Sequence, residues 1–137
     1  MRSMFFRFCS AFTLVLLVCQ GANAADIVVI SNSETTLSAD EVEDVYIGEK
    51  QFARSTRLIP VDNAALQESF LANLLQMDSV RYNRIWIKKL FRDGLSRPAI
   101  KSGDVEVIAF VKRMPGGVGY VSSVPPGVKV IRKMSVQ

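Results

Sequence analysis

The chain has 137 residues, 49% of them hydrophobic, with 17 Lys and Arg against 13 Asp and Glu and a formal net charge of +4. It has no histidine and only two cysteines, which excludes Ser-His and Cys-His catalysis and deprives zinc, copper and iron of their usual ligands. The length suits one domain with a real core, the charge makes no demand for a nucleic acid, and neither a metal nor a cofactor is expected.

Arg2 and Arg7 give the amino end a positive start, residues 11–18 are an apolar run, and Ala22, Asn23 and Ala24 form a small-x-small cleavage pattern. These are the three parts of a secretory signal. Residues 1–24 are therefore expected to be a cleavable signal peptide, and residues 25–137 a single folded domain. The uncharged stretch is broken by Gln20, Gly21 and Asn23 and falls short of the roughly 20 apolar residues that span a bilayer. Val18, just before Cys19, is a poor fit to a lipid-attachment pattern, so lipoprotein anchoring is not expected. Removing 24 leader residues from 137 leaves 113; two of the 17 basic residues go with the leader, leaving 15 against 13 acids, a net charge of +2. Cys9 and Cys19 both fall in the leader. The exported chain would have no disulfide and must be held by its core.

Residues 27–30 (IVVI) are a continuous β-branched run and read as a buried strand. Ser38 and Glu41 form a capping box, with Leu37 placed to staple onto Val42, and Gly48 is placed to end that helix in a left-handed turn. Residues 58–61 (LIPV) read as a strand that lies at an edge or stops at Pro60, which cannot donate a ladder hydrogen bond. Asn63 reads as the cap of a helix carrying Leu66, Phe70, Leu71, Leu74 and Leu75 on one face. Asp78 or Ser79 caps the next helix, which runs to about Phe91 before Asp93-Gly94 breaks it. Arg97-Pro98 reads as a turn. Ser102 or Asp104 caps a fourth helix, stopped by Pro115, Gly116 and Gly117. Residues 118–121 and 128–131 read as the last strands. The fold class is α/β, a small mixed sheet covered by helices.

Three pieces of sequence, in order, carry a family resemblance. The first runs from Leu37-Ser38-Ala39-Asp40-Glu41-Val42 to Val45-Tyr46-Ile47-Gly48-Glu49-Lys50. The second runs from Pro60-Val61-Asp62 through Phe70 to Tyr82, Trp86 and the stretch 91–94. The third is Pro115-Gly116-Gly117-Val118-Gly119-Tyr120-Val121. Together they resemble the phosphate-type periplasmic substrate-binding proteins of ABC transporters. The resemblance covers nearly all of the exported chain but only about one lobe of the two-lobed family, and it implies the fold of one lobe of a type II periplasmic binding protein, a periplasmic location and phosphate or another small anion as ligand. It also places the family's phosphate-holding Ser-Gly-Thr at Ala64, Ala65 and Leu66 here, with Gln67 where a basic residue often follows. Both hydroxyls are missing, so phosphate affinity should be low. The anion site, if used, is expected at Ser31, Asn32, Asn63, Ala64 and Ala65, beyond the ends of the strands.

A second functional reading comes from the helix over residues 80–91. At 100° per residue, Arg81, Arg84, Lys88, Lys89 and Arg92 share an arc with Ile85, while Tyr82, Trp86, Ile87, Leu90 and Phe91 fill the other side. The basic arc could meet an acidic periplasmic protein or a membrane surface; otherwise it is a solvated face. Trp86 is expected in the core, its indole bonded to one buried acceptor. The acids Asp40, Glu41, Glu43 and Asp44 read as stabilising a helix start and not as a catalytic pair. The chain is expected to be non-enzymatic.

Overall fold

A computed structural model describes residues 25–136; the expected leader, with Arg2, Arg7, Cys9 and Cys19, lies outside them. Among the described residues, seven strands and four helices follow in the order β1 (Ala25–Ser31), a 3-10 turn (Ala39–Glu41), α1 (Val42–Tyr46), β2 (Phe52–Ala53), β3 (Thr56–Arg57), β4 (Ile59–Asn63), α2 (Gln67–Phe70), α3 (Ser79–Asp93), β5 (Ala99–Lys101), α4 (Asp104–Arg113), β6 (Gly117–Val121) and β7 (Lys129–Val136). α2 continues directly into a π-helical turn, Leu71–Leu75. β2 and β3 form a separate small hairpin, and the other five strands make one sheet in the order β5-β4-β6-β1-β7. β4 runs parallel to both β5 and β6, whereas β1 is antiparallel to β6 and to β7. The protein is thus an α/β domain with a small mixed sheet. Among the described residues, no helix is long and apolar enough to cross a membrane.

The apolar run in β1 is continuous because both faces of the sheet are covered. Ile27 and Val29 point to one side, where α1, α2 with its π-helical turn, and α3 supply Val45, Tyr46, Phe70, Leu71, Tyr82 and Trp86. Val28 and Ile30 point to the other, where α4 supplies Val107, Phe110 and Val111. The first core is aromatic: Phe70 stacks on Tyr120 with ring centroids 3.8 Å apart, and Tyr46 meets both rings edge-on. The second is mainly aliphatic, with Phe110 its one aromatic ring. A Cβ on Gly119 would collide with Val107 and also touch Val111 and Val61, so glycine is what lets α4 lie against β6.

Several local expectations hold. Glu41 accepts from the Ser38 N–H at 3.1 Å, and Lys50 closes on the same carboxylate at 2.6 Å. Gly48 is left-handed at φ 77°, and Trp86 is buried, donating from Nε1 to the Tyr46 carbonyl at 3.1 Å. Asp78 caps α3, its Oδ1 accepting from the Arg81 N–H at 2.8 Å. The expectation for Pro60 is overturned: β4 runs on through it to Asn63 and lies inside the sheet, between β5 and β6, and the proline is accommodated because the ladder on its β5 side lacks a partner there. The Ile59 N–H donates toward β6, to Gly116 O; the next residue therefore faces β5, and β5 pairs only with Val61–Asn63.

Three more expectations are corrected. The stretch after Pro98 is a strand, β5, although its three residues were too few to show alternation. Asn63 ends β4 instead of capping α2, whose first residue is Gln67. Its Oδ1 accepts from Ala65 N–H at 3.1 Å, a local turn that delays the helix by three residues. α4 is preceded by Gly103 in extended backbone, and neither Ser102 nor Asp104 caps it; the Ser102 N–H instead donates to Glu106.

Candidate functional site

Ligands of open α/β sheets gather beyond the carboxyl ends of the parallel strands. At that end of β4 and β6 the side chains form two carboxylate-centred clusters. In the first, Asp62 is fully buried and accepts from the Tyr82 hydroxyl through Oδ2 and from the Tyr120 hydroxyl through Oδ1, both at 2.9 Å. Burial pushes its pKa up; the two phenolic hydrogen bonds and the charge of Arg97 pull it partly back. Burial, reinforced by the charge of Asp62, drives the Tyr82 and Tyr120 hydroxyls far above the ordinary phenol range. The Tyr46 hydroxyl, also raised by burial, donates to the Val61 carbonyl at 2.9 Å.

The second cluster centres on Asp104, the first residue of α4. Its Oδ1 accepts from the Asn63 amide at 2.8 Å, and its Oδ2 accepts from the Ser122 N–H at 3.1 Å and from the Ser122 hydroxyl. The Asn63 amide also donates to the Tyr120 carbonyl at 3.0 Å. A carboxylate at the start of a helix is favoured by the helix dipole. Asp104 therefore engages the Asn63 amide and both donors of Ser122.

The expected anion site is not assembled. The Ala64 N–H donates to Lys101 O, the Ala65 N–H to Asn63 Oδ1 and the Leu66 N–H to Asn63 O, so the amide groups of this turn are already engaged. Ser31 and Asn32 are at the other end of the sheet. β1 is antiparallel, which sets Ser31 beside Val118 and Val118 beside Pro60. Asn63 lies three residues further along β4, roughly 10 Å away. Asn32 is engaged elsewhere. Its amide donates to the carbonyls of Val111 at 2.9 Å and Lys112 at 3.2 Å, satisfying the end of α4.

The basic arc of α3 is also redrawn. Lys89 is turned inward, 7% exposed, with Nζ 3.0 Å from Glu49 Oε1, and Arg92 is paired with Asp93 at 2.9 Å. Arg81, Arg84 and Lys88 remain exposed, and none forms an ion pair among the described residues. The apolar side divides in the same way. Tyr82 and Trp86 are buried, but Val80 (62%), Ile87 (55%), Leu90 (51%) and Phe91 (84%) stand in solvent. A groove of about 450 Å³ runs along the cations, between Asp78, Val80, Arg81, Arg84, Ile85 and Lys88. On the opposite flank, beside Ile87 and Leu90, a smaller hollow of about 280 Å³ holds Asn83, whose Oδ1 is buried with no hydrogen-bond partner among the described residues.

One further cleft, about 350 Å³, opens beside Pro60 between Arg57, Trp86, Leu95, Arg97 and Pro98. It shares Arg97 with the surroundings of Asp62, and the nearby Lys50 is committed to Glu41. Among the described residues, no three His, Cys, Asp or Glu side chains are grouped to hold a metal.

The signal for the exposed stripe was present in the sequence: an apolar arc from Tyr82 round to Phe91 is wider than one core face needs, and the surplus has to face outward. Asp62 and Asp104 were missed as organising groups. Asp62 stands in the strand piece of the family signature, and its partners Tyr82 and Tyr120 are 20 and 58 residues away. Asp104 read as a helix cap. Comparison of the chain with known protein families and with curated proteins gives no match.

Proposed function

We propose that this protein is an exported, non-enzymatic, single-lobe relative of the phosphate-type periplasmic substrate-binding proteins. In this reading it binds phosphate weakly or not at all, and acts as a docking module through the outer face of α3. The three-piece signature supports the kinship, and a small mixed sheet with helices on both faces is compatible with one lobe. The observation that carries the loss of solute capture is Asp104, whose carboxylate is held by the Asn63 amide and by both donors of Ser122. An arriving oxyanion would meet a negative charge instead of free donors. The docking role rests on α3, where three cations lack partners among the described residues and four apolar side chains lack cover.

Calorimetric titration with inorganic phosphate tests the first half. The native protein is expected to give no saturable heat, whereas Asp104→Ala, which releases the Asn63 amide and Ser122, is expected to bind phosphate more tightly than the native chain. A dissociation constant below about 1 μM for the native protein would overturn the reading.

A further inference from the structure

Resting on the docking role of α3, we infer that its partner is an anionic lipid surface, on which the helix lies in the plane of the headgroups. Val80, Ile87 and Phe91 follow one another at seven- and four-residue steps, which keeps them in one stripe along the axis, with Leu90 beside it. Arg81, Arg84 and Lys88 follow at three and four and make a second stripe alongside, with Arg84 at the border between the two. From Val80 to Phe91 the pair of stripes is roughly 16 Å long. Apolar side chains flanked by cations along one helix are what an interface between acyl chains and anionic headgroups accepts.

Two features favour lipid over an acidic protein. The surface is a ridge, with Phe91 its most exposed large apolar side chain; a folded partner would need a matching trough, whereas a fluid bilayer deforms around a ridge. Of the acids of α3 and its cap, Asp93 is paired with Arg92, and Asp78, which lines the groove at the Arg81 end, has one carboxylate oxygen engaged by the Arg81 N–H. The groove of about 450 Å³ beside Arg81, Arg84 and Lys88 gives a lipid phosphate a place next to the three cations.

Residues 25–137 contain every described strand and both cores, so this span is used for the test. It is sedimented with vesicles of phosphatidylcholine alone and with vesicles containing an equal share of phosphatidylglycerol. Binding is expected only to the anionic vesicles, and to weaken as salt rises, because exposed charges are screened over about 10 Å at 0.1 M. Arg84→Glu with Lys88→Glu is expected to lower the partition coefficient about tenfold or more. Ile87→Ser with Phe91→Ser is expected to lower it several-fold while the far-UV circular dichroism is unchanged. Failure to sediment with either vesicle, equal binding to both, or indifference to the charge reversal would overturn the lipid assignment. Polyglutamate serves as the protein-like control. If it binds through Arg84 and Lys88 while vesicles do not, the docking role stands and the lipid partner falls; if neither binds, both fall. The phosphate titration does not involve α3 and judges solute capture separately.

Discussion

The two sides of α3 are built differently from the same fifteen residues. On the inner side three polar groups are each matched, the Tyr82 hydroxyl with Asp62, the Trp86 indole with the Tyr46 carbonyl and the Lys89 ammonium with Glu49, while the buried Asn83 Oδ1 has no partner among the described residues. On the outer side, Arg81, Arg84 and Lys88 are unpaired among the described residues and Ile87, Leu90 and Phe91 are uncovered. Lys88 and Lys89 are neighbours in sequence with opposite fates. A step of 100° along a helix is enough to separate a residue that holds the fold from one that is free for a partner. Breaking one of these inner pairs costs more than losing a surface contact, because a buried donor left without an acceptor keeps its full desolvation penalty.

The comparison can be broken most decisively at Asp62. Replacing it with leucine leaves two buried phenols without an acceptor and should cost about 2–6 kcal/mol, read as a lower urea midpoint. A loss below the effect of an ordinary surface change would mean that Asp62 does not organise the inner side. Tyr82→Phe removes one hydrogen bond to a charged group and should cost about 1.5–3 kcal/mol, with Tyr120→Phe close behind.

A pH series sharpens the contrast between buried and exposed carboxylates. Asp62 has a folded pKa raised above its ordinary value of 3.8. Its contribution is fully present below that value and is lost as pH rises through the raised one. Glu41, held down to about 2 by Lys50 and then by Ser38, behaves oppositely: its contribution is present above its ordinary value of 4.5 and is lost as pH falls toward about 2. Thermal melts from about pH 2 to 8 should therefore show Asp62→Asn gaining on the native protein as pH rises, and Glu41→Gln gaining on it as pH falls. Parallel curves for all three proteins would contradict the assignment of either shift.

The smallest expected effect is the most discriminating. Lys88→Ala should change stability by no more than about 0.5 kcal/mol, whereas Lys89→Ala, one residue on, loses a charge-assisted hydrogen bond and should cost about 1.5–3 kcal/mol. Equal effects at the two positions in chemical denaturation would erase the distinction between the sides of the helix.

Much of the frame was legible in the sequence, and the reason is local. The apolar run of β1, the box at Ser38 and Glu41, the left-handed Gly48 and the burial of Trp86 each depend on residues close in the chain or on plain apolarity. What could not be read depends on pairings across the fold. β5 has three residues and exists because β4 is there to pair with it. Asn63 reads as a helix cap until Tyr120 and Asp104, 57 and 41 residues away, claim its amide. Ser31 and Asn32 could be placed near Asn63 only while the direction of β1 was unknown; an antiparallel β1 carries them to the far end of the sheet. Lys89 shared an arc with Lys88 on a helical wheel, and only the position of Glu49 shows which of the two turns inward.

Pro60 has a consequence for how copies of this protein behave in a crowd. Beside it, β5 stops short and leaves the outer side of β4 uncovered at Ile59 and Pro60, the kind of open ladder onto which a second chain can zip. A proline there offers no amide hydrogen to begin that pairing. At the other margin of the sheet, β7 carries Lys129, Arg132 and Lys133, and a like-charged copy approaching side by side is repelled. The uncovered stretch of β4 is thus guarded against self-templated pairing by a missing donor, and the β7 border of the sheet by charge.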